Sequence, residues 1–233
     1  GFLNMQKRRR EQRPPALNHN SIPVQVPPEY WDILKQRDIN ELCNFTLAEP
    51  HGSGGLTFCF LQENIFLDIE NRCIRRLENN RREKTDDPLL ELIILVYFIN
   101  VRSLCPVGKD IIGVGDLRES HFFKAPPHEL KLGHLSERYG TDPEGFRAAA
   151  EYLKGKPVNM ADMAYMFLPF PRVPLYYLFW KGDEEFPPRF SLLFDRSVEE
   201  CFAADAIWGL VNRVSLELLR GPRIRVRKNT DYQ

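Results

Sequence analysis

The feature that most constrains this chain is the run from Leu89 to Val101, about a dozen residues with only Glu91 and Asn100 as strongly polar members. Asp87 and Pro88 stand directly before it. Asp accepts hydrogen bonds from the free amides of a first helical turn, and Pro at the first helical position loses no needed donor. The run therefore reads as a helix, and its all-round apolarity places it inside a core. It is too short to span a bilayer, which takes roughly 20 apolar residues.

The chain can supply that core. Its 233 residues are 43% hydrophobic and include sixteen Phe, eight Tyr and three Trp, which excludes disorder along its whole length. Before the buried helix, Tyr30, Trp31, Leu34 and Leu42 recur at helical spacing after Pro28, and the glycines at 52–55 end that element. Leu56 to Leu61 and Ile65 to Ile69 are short alternating runs, joined by Gln62, Glu63 and Asn64 as a hairpin, with a third strand near Cys73 to Leu77. A helix is expected over Glu129 to Tyr139. Another opens at Asp142-Pro143 and closes at Gly155.

After Gly155 the texture turns to strands at Ala164 to Leu168, Val173 to Trp180 and Phe190 to Phe194. Ser197 and Glu200 have capping-box spacing. A last helix runs from Asp205 to Arg220 on the stripe Ile207, Leu210, Val211, Val214 and Leu218, with Gly221 as its stop. Strands and helices in blocks argue a single α+β domain of antiparallel hairpins packed with about five helices. It is expected over residues 29–221, between a basic, Pro- and Asn-rich arm at 1–28 and a basic tail at 222–233.

Cys43, Cys59, Cys73, Cys105 and Cys201 are odd in number and far apart, unlike a secreted disulfide framework, so the expected compartment is the cytoplasm. The arm holds no apolar stretch of the kind a secretory signal carries. Cys105, beside Pro106, reads as packing rather than as a nucleophile. No iron–sulfur cluster is expected, because the cysteines lack cluster-ligand spacing. His19, His51, His121, His128 and His134 form no i,i+4 metal pair. Gly113-Val114-Gly115-Asp116 looks like a phosphate loop without its third glycine or a following Lys-Ser/Thr, and reads as a turn.

The formal net charge is zero, yet residues 1–13 and 222–233 together carry +7 and the body carries −7. Basic tails admit nucleic-acid binding, but an acidic body without Arg-interleaved aromatics argues against it. Solubilising tails, or an arm that docks on a partner protein or a second copy of the chain, fit better.

The segment Trp180-Lys181-Gly182-Asp183-Glu184-Glu185-Phe186-Pro187-Pro188, followed by Leu193-Phe194-Asp195-Arg196-Ser197, resembles the domain-of-unknown-function family number 3786. Gly155, Pro157, Asp162, Pro171 and Pro174 support the likeness, which covers roughly residues 56–219. The resemblance implies an uncharacterised domain of anaerobic bacteria and archaea, some of whose relatives carry a cysteine-rich iron–sulfur module. The family's late Glu-Asp pair is represented here only by Asp205, after Ala204.

Asp183, Glu184, Glu185 and Asp195 are the candidate ligand or metal site. Clustered carboxylates suit Mg²⁺ or Ca²⁺, and like charges raise one another's pKa toward general-acid use. The alternative is a solvated turn, with Asp195 capping the next helical segment. In that reading Trp180, Gly182, Phe186 and Pro187 are structural: a buried Trp, a Gly that a side chain could not replace, and prolines that send Phe186 and Phe190 to the core. Three function classes follow. The first is a non-catalytic ligand-, metal- or partner-binding accessory domain of anaerobic metabolism. The others are a carboxylate enzyme, with or without a divalent metal, and a nucleic-acid binder acting through its tails.

Overall fold

The computed structural model describes residues 24–52, 54–79, 81–104, 106–130 and 132–222. The arm as far as residue 23, Cys105 and the basic tail from residue 223 lie outside the described residues, as does any role read for them.

Helix α1 spans Glu29–Lys35 and α2 spans Ile39–Thr46, where one continuous element was expected. The break has a local cause. Asp38 accepts from the amide of Glu41 at 2.9 Å and starts a new helix, which ends at Leu47 in a left-handed conformation. Five strands follow: β1 (Glu49–His51), β2 (Gly55–Phe60), β3 (Glu63–Asp68), β4 (Cys73–Glu78) and β5 (Arg81–Lys84). They form an antiparallel meander in chain order. The expected hairpin is present, but Glu63 and Asn64 belong to β3, so its turn is tighter. β5 was not expected because its four residues are all exposed and charged, with no alternation to read. Such charge suits a sheet edge, where it discourages a further strand from pairing.

Helix α3 (Pro88–Asn100) is the expected apolar run, and Asp87 accepts from the amide of Leu90 at 3.1 Å. Strand β6 (Ile111–Gly113) and two short 3-10 turns lead to α4 (Gly133–Tyr139) and α5 (Pro143–Tyr152). Residues 129, 130 and 132 are not helical as expected, and α4 opens at Gly133. The chain closes with β7 (Lys156–Pro157), β8 (Met163–Phe170), β9 (Val173–Trp180), β10 (Arg189–Asp195) and α6 (Ala204–Arg220). The second antiparallel sheet is ordered β6-β10-β9-β8-β7. Among the described residues, six α-helices and two five-stranded sheets make this an α+β fold.

One core joins both sheets around α3. Phe98 of α3 lies 5.1 Å from Phe58 of β2, and Tyr97 stacks 4.2 Å from Phe170 at the end of β8. Phe170 also meets Phe58 and Phe60, and the amide of Leu61 donates to Pro169 O at 3.3 Å. On the other side, Tyr177 of β9 donates to Val211 O of α6 and shares a hydrogen bond with Ser215 Oγ. Burial raises the Tyr177 phenol far above its ordinary pKa, so it stays a neutral donor.

Candidate functional site

The acidic loop joins β9 to β10, and it is built by its own backbone. Asp183 Oδ1 accepts from the amides of Glu185 at 2.9 Å and Phe186 at 2.7 Å, while the Asp183 amide donates to Phe186 O. Those two amides, Phe186 first, hold the Asp183 carboxyl below its ordinary pKa. A side chain on Gly182 would put its Cβ 2.7 Å from Pro188 N and 2.9 Å from Phe186 O. Glu184 and Glu185 are exposed.

Two expectations for this loop fail. Phe186 is 65% exposed and does not reach the core, because the turn that Asp183 closes carries it outward; Phe190 alone packs inside. Trp180 is half-buried rather than buried. Its indole N–H donates to Ser191 Oγ at 3.0 Å, and the Arg189 guanidinium sits 5.4 Å above its ring. Pro187 is exposed in the return of the loop.

Asp195 does not join the acidic loop. The two lie at opposite ends of β10, about 20 Å apart at ~3.3 Å per residue. Asp195 is buried and uses both oxygens: Oδ2 accepts from the Gly108 amide at 2.6 Å, and Oδ1 accepts from Ser197 at 3.0 Å. It caps the 3-10 turn Arg196–Glu200, as the solvated-turn alternative expected, and Ser197 lies inside that turn. Among the described residues no three His, Cys, Asp or Glu side chains gather as a metal-ligand set. Cys43, Cys59 and Cys73 carry free thiols, and burial pushes those of Cys43 and Cys73 up. The glycine pair at 113 and 115 ends β6 and enters a 3-10 turn.

A different place gathers polar groups over apolar ground. A cleft of about 380 Å³ opens where the end of α3, the 3-10 turns and the start of α6 meet. Leu117, Phe123, Phe202 and Ile207, all buried, line its floor. Ala203, the residue before α6, is extended and offers no side-chain cap. The Ala206 amide is met by Asp205 Oδ1 at 2.8 Å. The amides of Ala204 and Asp205 find no acceptor among the described residues. Ala203 and Ala204, at the start of this 17-residue helix, belong to the cleft lining.

Two arginines, Arg102 and Arg118, and three glutamates, Glu119, Glu199 and Glu200, make up the charged lining of the cleft. Arg102 donates to Ile99 O at 2.6 Å and Val101 O at 3.2 Å, and has no carboxylate partner among the described residues. Arg118 is already engaged by Glu200 at 3.2 Å. The Glu199 side chain is only 6% exposed. Its Oε1 accepts from the Arg118 amide at 2.6 Å, but Oε2 is sealed from solvent and accepts no hydrogen bond. The nearest cations to Oε2, Arg118 Nε at 3.7 Å and Arg196 at 3.9 Å, stand off as ion pairs. Sequence reasoning missed this cleft, since its polar residues follow no motif spacing. The one readable signal was Ala203-Ala204, a helix start with no capping side chain.

Together these features define an α+β domain with two antiparallel sheets and a charged cleft at the start of its last helix. The chain belongs to the family described as Domain of unknown function (DUF3786), whose model matches residues 38–216. No curated protein and no solved structure matches it.

Proposed function

We propose that the domain is a non-catalytic binding module of anaerobic metabolism, and that it holds a small charged ligand in the cleft at the start of α6. The observation that carries this reading is Arg102, a cation on the cleft lining that has no carboxylate partner among the described residues. The cleft volume is in the range of small-molecule sites. The carboxylate-enzyme reading lacks comparable support, because it needs Asp183, Glu184, Glu185 and Asp195 to act jointly across the length of β10.

Thermal-shift titration tests the proposal with three isosteric probes: L-leucine, 4-methylpentanoate and 3-methylbutylamine. At least one should raise the melting temperature by mass action. That rise should vanish in Arg102→Gln. No shift with any probe, or a shift indifferent to that substitution, overturns the reading.

A further inference from the structure

Phe186 is the most exposed large apolar side chain among the described residues, at 65%. The turn that Asp183 closes with the amides of Glu185 and Phe186 fixes it in that outward position. Around it, Lys181, Asp183, Glu184 and Glu185 give the segment between β9 and β10 a net charge of −2. Glu184 and Glu185 are exposed and enter no ion pair among the described residues. The end of the last helix lies beside this surface. A Cβ on Gly140, directly after α4, would stand 3.2 Å from Pro188 Cβ at the return of the loop. Tyr139, the residue before it, donates to Leu218 O of α6, and a Cβ on Gly221 would stand 3.7 Å from the Tyr139 hydroxyl. The chain therefore leaves α6 one tyrosine side chain away from the loop.

We infer that the occupant of this surface is the chain's own basic segment, residues 223–228, docked on the loop between β9 and β10. The inference is independent of the cleft. The segment carries Arg223, Arg225, Arg227 and Lys228, with Ile224 and Val226 between the arginines. Successive side chains of an extended chain point to opposite sides. Ile224 and Val226 thus cover Phe186 on one side, while Arg225 and Arg227 meet Glu184 and Glu185 on the other. Residues 222–228 reach about 23 Å when extended, at ~3.3 Å per residue, which is more than the tyrosine side chain they have to pass. Exposed ion pairs are individually weak. Here they act together with an apolar contact, and the covalent link makes the docking intramolecular, at a high effective concentration.

Limited trypsin digestion of the full chain tests the docking, because cleavage of a segment that opens and closes tracks the population of its open form. Cleavage after Arg223 and Arg225, read by mass, should be slow at low salt and rise about 10-fold in the double variant Glu184→Gln/Glu185→Gln. Phe186→Ser changes no charge and leaves the backbone amide that Asp183 holds, and it should also speed cleavage. Glu49→Gln/Glu70→Gln removes the same charge from exposed positions on the first sheet and should leave the rate unchanged. A zero-length carbodiimide should join Lys228 to Glu184 or Glu185, and in an equal mixture of ¹⁵N-labelled and unlabelled protein both linked peptides should come from one isotopic form. Cleavage indifferent to the loop variants, or raised equally by the remote pair, overturns the docking. So does the absence of that crosslink. Linked peptides of mixed isotopic form would assign the surface to the basic segment of a second copy and overturn the intramolecular contact.

Discussion

Gly182 shows how much of the acidic loop is architecture. Its backbone carries no left-handed strain; what excludes a side chain is the close approach of Pro188 N and Phe186 O. Backbone atoms cannot swing away as a flexible side chain could. Gly182→Ala should therefore cost about 1–3 kcal/mol, the range of overpacking substitutions. Glu184→Ala, two residues on and exposed, should stay within about 0.5 kcal/mol. Urea denaturation of the two variants checks the contrast. Equal midpoints would mean that the loop tolerates rearrangement and that Gly182 is not structural.

Helices α3 and α6 are joined by charge as well as by packing. Arg213 of α6 is buried, and it pairs with Asp87 at the start of α3 at 2.5 Å and with Glu217 at 3.1 Å. Burial alone would raise the Asp87 carboxyl. The Arg213 guanidinium and the Leu90 amide outweigh it and hold the group below its ordinary 3.8. A carboxyl depressed in the fold contributes stability that is full above its unfolded pKa and lost as pH falls through the folded value. Arg213→Met leaves Asp87 and Glu217 without that cation and should cost about 3–5 kcal/mol at neutral pH. It should also flatten the acid limb of stability below pH 3.8. Chemical denaturation across pH measures both, and an unchanged acid limb would show that Asp87 is held down by its other partners. The elements themselves were largely legible. Asp87-Pro88 and Asp142-Pro143 announced their helices because capping is local chemistry, and the Leu56–Ile69 hairpin showed in its alternation. The break at Asp38 was also written in its spacing to Glu41, but the apolar period runs across it and concealed the cap. Strands β5 and β7 were not legible, since a short edge strand buries nothing that a pattern could report.

At the scale of the molecule, legibility divides by sequence distance. The core was readable because apolar period is a local signal, whereas the cleft collects Arg102, Arg118, Glu199 and Ala203 from segments about a hundred residues apart. The acidic loop misled for the same reason in reverse: adjacency in sequence suggested a site, and the turn spread its side chains into solvent. The core also predicts how the whole molecule comes apart. Phe170 belongs to the second sheet, yet its ring lies 5.4 Å from Phe60 and 5.8 Å from Phe58 of the first, and 4.2 Å from Tyr97 of α3. With one ring bridging three elements, neither sheet can lose its packing without opening the other. Unfolding should then be a single transition, seen at the same denaturant concentration by far-UV circular dichroism and by tryptophan fluorescence. Trp31 reports from beside α3, where its indole donates to Glu91, and Trp208 reports from α6. Phe170→Ala should remove about 3–5 kcal/mol and move both signals together, with the slope unchanged. Midpoints that separate in this variant, or in the unmodified protein, would mean that the two sheets are independent units and that the shared core does not couple them.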